Sequence, residues 1–363
     1  MNTVSAIDIL FNVIIWFLLF FLSKDQIATT HKQPSIYFLG GCLITIYSTF
    51  GFNSGDFLHY EGLYEDLIKS QFIIHVEPFY FWLSKILPNN YYLWRFFIWG
   101  ISTIFLIKIF KRLNISSRFA FLIFTLILMT YFHNPRQTLG FCVFYYGCSL
   151  IFFNKERQHI TLYNTLRGAI WIFLSFFLHK SMFMYILLMG FALIPLGKKL
   201  FTASLIAFPI LYKSVTYISS YILLNSFANE TSQESGIGYL ESDFRADANI
   251  NGLIQLFITR LPIFLLLFYC IRNIFFKKEQ IQYGSKVFLQ YTYWLVYISY
   301  LFIGQNVSAF LSNRFWDASL YPLTIFLAGY LYKKPRSRFI KNCFYLLILS
   351  NLYNLSYSIF RTI

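Results

Sequence analysis

The sequence predicts an all-α, polytopic integral membrane protein with about 12 transmembrane helices, and three observations support that fold class. Of the 363 residues, 57% are apolar and only 12% are charged, whereas soluble proteins carry about 25% charged residues. The apolar residues fall into runs that can each cross a bilayer core as a helix of about 20 residues. The basic residues concentrate in alternate connections, as they do in multi-pass proteins. So few charges cannot cover a water-facing surface, which excludes an ordinary soluble domain.

Twelve apolar runs are predicted as spans of one transmembrane helical domain, residues 1–363. In the first half they are Val4–Leu22, Ile36–Phe52, Tyr91–Phe110, Phe119–Phe132, Gln137–Phe153 and Thr161–Leu178. In the second half they are Met182–Leu196, Phe201–Leu224, Leu253–Ile271, Val287–Ile303, Phe315–Tyr332 and Cys343–Phe360. The first run lacks a basic segment before it and a small-residue cleavage site after it, so we expect a retained helix and not a signal peptide.

Lys and Arg set the predicted orientation, because basic residues accumulate in short cytoplasmic loops. Alternate connections hold 20 of the 30 basic residues and three of the 15 acids; they are 23–35, 108–118, 154–167, 197–199, 272–286 and 333–341. We therefore place these connections in the cytoplasm and both termini outside. The formal net charge of +15 is then a topology signal, and nucleic acid is not an expected partner.

Two long segments lie on the outer side in this orientation, 53–90 and 225–252. The first contains Phe72–Leu87, which is apolar but interrupted by polar residues. It is predicted as a helix at the outer interface or partly embedded in the membrane, where protein or water covers irregular backbone. The second segment is acidic and contains two glycines, which is typical of a mobile outer loop or lid.

Charged groups at membrane depth are costly and indicate function by default. Four arginines lie toward the outer ends of predicted spans: Arg95, Arg136, Arg260 and Arg314. The alternative interpretation is contact with phospholipid headgroups. Arg314 also has Asp317 three residues further on, at the spacing of a local ion pair.

Arg136 is the most informative of the four. Asn134 suits the N-cap of the fifth span and Pro135 suits its first helical position. Free backbone N–H groups and a guanidinium then meet at the positive end of a helix dipole. This combination predicts an anion site for which a diphosphate is a natural occupant, with Lys180 in a lesser role.

Three acid–base candidates lie on the same predicted side: Asp56, Glu77 and His179. A lone His near an interface is usually structural, and a loop carboxylate is usually just solvated. Together with several arginines on one face, however, the three groups predict a site that handles protons and anions. Tyr60 follows Asp56 at helical spacing, and aromatic rings at this level serve either as an interfacial belt or as stacking surfaces for sugars.

The order and spacing of these motifs resemble the EpsG-like group of polysaccharide polymerases, relatives of the Wzy O-antigen polymerases. The motifs are Asp56 followed by tyrosines, Glu77-Pro78-Phe79, Arg136-Gln137 opening a span, and His179-Lys180-Ser181 closing the next hairpin. The resemblance covers about residues 40–200 at the level of motifs, and the whole chain in size and number of spans. In the second half, only Arg260 and Arg314 match as basic residues.

The resemblance implies a glycosyltransferase in a bacterial cytoplasmic (inner) membrane, with its active site on the outer, periplasmic side. Its donor would be a polyprenyl (undecaprenyl) diphosphate-linked oligosaccharide, whose glycan is joined to a hydroxyl of a new lipid-linked repeat unit. The product would be O antigen or a related surface polysaccharide. Membrane lipids are expected partners, and a chain-length regulator is a candidate partner. No cofactor and no metal ion is expected, because arginines would take the place of a cation.

The resemblance also implies roles for individual residues. Arg136 would bind the diphosphate. Further phosphate or sugar contacts would come from Arg260, Arg314, Arg95, Lys180 and Tyr60. Glu77, or else His179, would be the general base, and Asp56 would orient the sugar or the base.

Two alternatives stay open at this point. A flippase or transporter of lipid-linked oligosaccharides suits twelve spans and a basic cavity, although the charges cluster on one side and transporters favour sites near the midplane. An O-antigen ligase-type transferase uses related chemistry on a finished glycan. A membrane acyltransferase is a weaker third candidate, because it leaves the arginines without a purpose.

Overall fold

The computed structural model describes residues 13–15, 17–18, 33–50, 56–69, 77–128, 134–153, 162–227, 250–302, 309–332 and 338–360. Within these ranges the protein is all-helical, which confirms the predicted all-α class. The first helices are α1 (Gln33–Phe50), α2 (Asp56–Lys69), α3 (Pro78–Ile86), α4 (Tyr91–Arg112), α5 (Ser117–Ile127), α6 (Pro135–Phe152) and α7 (Leu162–Leu178). They are followed by α8 (Met182–Ala192), α9 (Lys198–Phe227), α10 (Ile250–Ile271), α11 (Tyr283–Leu301), α12 (Ala309–Tyr332) and α13 (Arg338–Phe360). A π-helical turn, Arg272–Phe276, extends α10.

Each predicted span from Ile36–Phe52 onward overlaps one of these helices. The first predicted span, Val4–Leu22, and the outer loop 225–252 lie largely outside the described residues. By length and composition, two described helices can cross a membrane, Tyr91–Arg112 and Ile258–Phe276, and four shorter helices are also apolar. Twelve crossings therefore stay a prediction.

The described residues of segment 53–90, which is predicted to lie on the outer side, form two helices, α2 and α3. The sequence predicted one helix over Phe72–Leu87, but α3 begins only at Pro78 and ends at Ile86. Glu77 precedes it in extended conformation, with φ −65° and ψ 139°, as the residue before a proline prefers. The proline therefore fixes the start of α3 and leaves Glu77 at its N-cap position, without a side-chain hydrogen bond to the helix.

Helix α6 lies at the centre of the bundle. All of its residues except Arg136, Ile151 and Phe152 are buried. It packs against α4, α7, α8, α11 and α12. A helix that is buried on all sides has to be apolar all round, and the run from Leu139 to Leu150 meets that requirement. The N-terminus of α6 is consequently held in place by much of the bundle.

Helix α7 shows the reverse of a soluble amphipathic pattern. Its buried residues are small, Gly168 and Ser175, whereas the exposed residues of its second half are all large and apolar: Ile170, Phe173, Leu174 and Phe177. Small residues inside and large apolar residues outside are typical of helices that face lipid.

The crossing of α6 and α7 depends on a pair of glycines. A Cβ atom on Gly147 would lie 2.7 Å from the carbonyl oxygen of Gly168, and a Cβ on Gly168 would lie 2.7 Å from that of Gly147. The two backbones therefore approach more closely than any larger residue permits, as in other membrane helix pairs. This contact fixes α7 against α6, and with it the turn that follows α7.

Tyrosine hydroxyls join the helices around α6. Tyr145 donates to the carbonyl of Ala318 at 3.2 Å, and Tyr291 donates to the carbonyl of Tyr185 at 2.7 Å. Tyr321 donates to the Thr138 hydroxyl at 2.9 Å. Each buried bond of this kind contributes about 0.5–1.5 kcal/mol and satisfies a polar group that has no water available. Two of the bonds join α6 to α12, and the third joins α8 to α11.

Candidate active site

The N-terminus of α6 has the cap that the sequence predicts. Asn134 is the N-cap, and its side-chain oxygen accepts from the backbone N–H of Gln137 at 3.1 Å. Pro135 occupies the first helical position. The Tyr60 hydroxyl of α2 donates to the same Asn134 oxygen at 2.7 Å. Tyr60 thus holds the cap in place, while a contact from Tyr60 to a sugar stays a prediction.

Glu77 is the centre of the site. Its carboxylate does not cap α3; it forms an ion pair with Arg136, whose Nη2 donates to Oε2. The other oxygen, Oε1, lies 3.2 Å from Nδ1 of His179 and accepts from the backbone N–H of Lys180 at 3.1 Å. Glu77 is only 1% exposed, so these contacts replace its hydration. Residues from three separate parts of the chain thereby meet at one carboxylate.

Tyr80 contacts Arg136 both at its guanidinium and at its backbone carbonyl. Its guanidinium carbon lies 5.5 Å from the centroid of the Tyr80 ring, in the range of a cation–π contact. The Tyr80 hydroxyl donates to the backbone carbonyl of Arg136 at 3.2 Å. The Arg136 side chain is still 15% exposed. It is therefore positioned by protein contacts and accessible to a ligand.

The protonation states of Glu77 and His179 follow from opposing effects on their pKa values. Glu77 lies before α3, and His179 lies in the turn between α7 and α8. Burial raises the pKa of Glu77, but the hydrogen bond from His179 and the charge of Arg136 outweigh it and lower that pKa to about 2. Burial lowers the pKa of His179 below 6.5; Glu77 opposes this, and the charges of Arg136 and Arg314 add to it. At neutral pH Glu77 is ionised and His179 is neutral.

This state defines the tautomer of His179. An ionised carboxylate can only accept hydrogen bonds, so the contact with Glu77 requires the ring proton on Nδ1. The other nitrogen, Nε2, then carries a lone pair and can take a proton. A carboxylate that orients an imidazole in this way is the arrangement used by many general bases.

Arg314 and Arg260 connect to the same site through neighbouring amides. Arg314 donates from Nη1 to the side-chain oxygen of Gln137, the residue after Arg136. Arg260 donates from Nη2 to the side-chain oxygen of Asn313 at 2.7 Å, and its guanidinium lies 4.6 Å from the Trp316 ring centroid. The three arginines are thus linked by a continuous series of contacts, with Arg136 and Arg314 nearest to His179.

The residues that form this site come from helices between α2 and α12, and thus from most of the chain. Comparison with known protein families gives a match of similar extent. The model of the EpsG family matches residues 35–362. The chain belongs to the EpsG family. The members of the EpsG family are Wzy-like polymerases of membranes, so the resemblance inferred from the motifs is confirmed. No curated protein and no solved structure matches the chain.

Arg95, Lys180 and Asp56 were also predicted for the site, and the structure gives each a different position. Arg95 is 1% exposed and donates to the carbonyl of Ser48 at 2.7 Å and to the Tyr91 hydroxyl at 3.2 Å. The bond to Ser48 holds α4 against α1, whereas Tyr91 lies one turn earlier in α4 itself. A substrate contact by Arg95 stays a prediction. Lys180 contributes its backbone N–H, while its side chain is exposed. Asp56 begins α2, but its side chain lies outside what the structure describes.

Other residues of this EpsG-family site had no role assigned from the sequence. Tyr80 supports Arg136, and the side chains of Gln137 and Asn313 link the arginines. Each stands beside a recognised residue: Gln137 follows Arg136, Asn313 precedes Arg314, and Tyr80 lies one helical turn from Glu77. Polar or aromatic neighbours of a membrane-embedded arginine are the signal that would have found them.

Among the residues that the structure describes, no three His, Cys, Asp or Glu side chains lie close enough together to hold a metal ion. The expectation that catalysis needs no metal ion stays a prediction.

Proposed function

We propose that this protein is a polysaccharide polymerase that transfers a growing glycan from a polyprenyl diphosphate carrier to a hydroxyl of a new lipid-linked repeat unit. Membership of the EpsG family supports a glycosyltransferase-like polymerase. The observation that carries the finer proposal is the contact of Glu77 with both Arg136 and His179. A proton acceptor and a cation are thereby placed on opposite sides of one carboxylate.

His179 acts as the general base in this scheme, and Glu77 orients it. The sequence favoured Glu77 as the base, but a carboxylate with a pKa of about 2 holds a proton poorly at neutral pH. In neutral His179 the Nε2 atom is unprotonated and can accept a proton. The Nδ1–H bond to Glu77 then stabilises the imidazolium that forms. The acceptor hydroxyl would give its proton to Nε2 as its oxygen attacks the anomeric carbon.

Arg136 and Arg314 stabilise the leaving group. As the new glycosidic bond forms, the bond between the anomeric carbon and the diphosphate oxygen breaks, and its electron pair remains on the diphosphate. Guanidinium groups bind such oxygens through paired N–H donors. Within the described part of the chain, Nε of Arg136 is buried and has no hydrogen-bond partner, and a diphosphate oxygen bound at the guanidinium would supply one. Arg260 supports this pair through Asn313.

We further propose that the site faces the outside of the cytoplasmic membrane, in a bundle that crosses it twelve times. The far end of α6 supports this orientation. There Arg112 donates to the carbonyls of Ser149 and Phe153, at 3.3 Å each. Arg112 belongs to the basic connection 108–118, which the distribution of Lys and Arg assigns to the cytoplasm. Arg136, at the other end of α6, then lies at the outer side.

A complementation series in a strain lacking the protein tests the proposal. The variants are Arg136→Ala, Arg136→Lys, His179→Ala and Glu77→Gln. Lys198→Ala is the control, because Lys198 is exposed and belongs to connection 197–199, which is predicted to lie on the other side of the membrane. Glycan ladders are compared at equal membrane expression. Loss of one preorganised donor costs about 10²–10³ in kcat, so Arg136→Ala is expected to abolish long chains. Arg136→Lys should restore part of the activity, because Lys keeps the charge but not the paired donors.

Normal long chains from Arg136→Ala would refute the assignment. The material that accumulates in the deletion strain separates the remaining classes. Single repeat units at the outer face support a polymerase, and units held at the inner face would indicate a flippase. Long lipid-linked chains that are never transferred would indicate a ligase.

A further inference from the structure

An apolar cavity of about 250 Å³ is lined by residues that are sequence neighbours of both Glu77 and His179. Its walls come from α3, α4, α6 and α7, and its lining includes Pro78, Leu139, Val143, Trp171, Leu174 and Leu178. Pro78 follows Glu77 in the sequence, and Leu178 precedes His179. The residues that hold the carboxylate and the imidazole are therefore continuous with the cavity wall.

Helix α6 presents a charged group and an apolar surface on one face. Arg136, Leu139 and Val143 follow each other at i, i+3 and i+7, which places them on the same side of the helix. Leu139 lies about 5 Å below Arg136 along the helix axis, as three residues at ~1.5 Å each require. A ligand that extends from Arg136 into the cavity must change from polar to apolar within that distance.

The net charge around His179 favours an anionic head for such a ligand. Arg136 and Arg314 both act on His179 electrostatically, whereas Glu77 is the carboxylate that pairs with Arg136. With His179 neutral, these groups sum to one positive charge. An anionic amphiphile therefore matches both the basic groups around His179 and the apolar cavity that shares a helix face with Arg136.

We infer that this cavity binds the isoprenoid chain of the substrate where it joins the diphosphate, with Arg136 and Arg314 on the diphosphate itself. This inference rests on the proposed function. A prenyl diphosphate carries its hydrocarbon directly on the phosphate oxygen, which suits a transition within about one helical turn. A phospholipid places a glycerol and ester groups between phosphate and chain, and these polar groups would be buried in the cavity without partners.

The size and opening of the cavity fit a segment of a long chain. Sites that enclose a whole small molecule measure about 300–1,000 Å³, and this cavity is smaller. Leu174 and Phe177 line it and are also 40% and 48% exposed on the outer face of α7. The chain would thus enter beside the diphosphate, fill the cavity with its first units and continue past α7 into the bilayer.

Photolabelling of the full-length protein tests the inference. The protein is placed in vesicles of phosphatidylethanolamine and phosphatidylglycerol with a short isoprenyl diphosphate that carries a diazirine close to the diphosphate. Leu174→Trp fills the opening of the cavity. Ile170→Trp is the matched control, one turn away on the same exposed face of α7 and 59% exposed. Labelling is read from peptides that contain Pro78 or Leu178.

We expect Leu174→Trp to reduce the labelling about tenfold. This is the loss of affinity that corresponds to two CH₂-sized groups of the ligand no longer being buried. Ile170→Trp should label like the wild type. Protection of Arg136 from a guanidine-modifying reagent by inorganic diphosphate should be equal in both variants, which shows that the anion site is still folded. Equal labelling of the two variants would overturn the inference.

A second probe, phosphatidylethanolamine with a diazirine in one acyl chain, identifies the alternative occupant. If it labels the same peptides and shows the same loss with Leu174→Trp, the cavity holds ambient lipid and the inference is wrong. Glycan ladders are scored separately from labelling. Absence of polymerase activity with retained, Trp-sensitive labelling would therefore count against the proposed function alone, and normal ladders with Trp-insensitive labelling would count against the cavity alone.

Discussion

Two glutamates of this protein pair with a cation in opposite settings, and replacing each by Gln is expected to have very different effects on stability. Glu77 pairs with Arg136 where the side chains are 2% and 15% exposed, whereas Glu65 pairs with Lys69 where they are 59% and 74% exposed. The shift of the Glu77 pKa from 4.5 to about 2 corresponds to on the order of 3 kcal/mol at ~1.4 kcal/mol for each pH unit. An exposed pair four residues apart on a helix contributes about 0.3–0.5 kcal/mol.

The measurement is the free energy of unfolding of the full chain in mixed micelles, by SDS titration at neutral pH, for Glu77→Gln and Glu65→Gln. Because the pKa of Glu77 is lowered in the folded protein, its contribution is fully present above the unfolded pKa near 4.5. It is lost as the pH falls toward 2. The difference between wild type and Glu77→Gln should therefore shrink over that acidic range. Equal losses from the two variants at neutral pH would show that the buried pair contributes no more than a surface pair, and would refute this account.

Three further outcomes are expected. His179→Gln should lower the turnover number for glycan extension about 10²–10⁴-fold. Because burial lowers the pKa of His179, the wild-type rate should fall only below pH 6.5. The pH–rate profile of the variant should lack this decline. Arg95→Met should reduce the unfolding free energy by about 1.5–3 kcal/mol, because it removes a charged hydrogen bond to Ser48. The KM for the donor should not rise. A raised KM with unchanged stability would indicate that Arg95 contacts the substrate instead. Gly147→Val should cost about 1–3 kcal/mol by forcing α6 and α7 apart, whereas Gly190→Ala, with nothing within 4 Å of the added Cβ, should be neutral or slightly stabilising in the same titration.

The local features of the site were predictable because they depend on neighbours in sequence. Asn134 and Pro135 stand in the order that begins a helix, and the structure has the N-cap and the first helical position where the sequence places them. The fold class followed from composition and from the lengths of the apolar runs. The start of α3 was missed, because hydrophobicity alone does not mark the boundary that Pro78 imposes.

The contacts that make the site were not predictable, because they join distant parts of the chain. Glu77 and Arg136 are 59 residues apart, and Gln137 and Arg314 are 177 apart. The sequence indicated that these charges lie on one side of a membrane. Which carboxylate meets which arginine depends on how α3, α6, α7 and α12 pack. The same limit explains Arg95: its position resembles that of the other arginines, but a carbonyl of α1 lies within its reach.

Arg314 reaches the N-terminus of α6 from the twelfth helix of the series, and this has a consequence for biogenesis. A ribosome-bound chain ending before α12 already contains Glu77, Arg136 and His179 but has neither the second cation nor the helix on which Tyr145 and Thr138 find their partners. Competence for glycan transfer is then acquired late in synthesis, once the C-terminal helices have been inserted and packed. Nascent or prematurely terminated chains would therefore be inactive in the membrane.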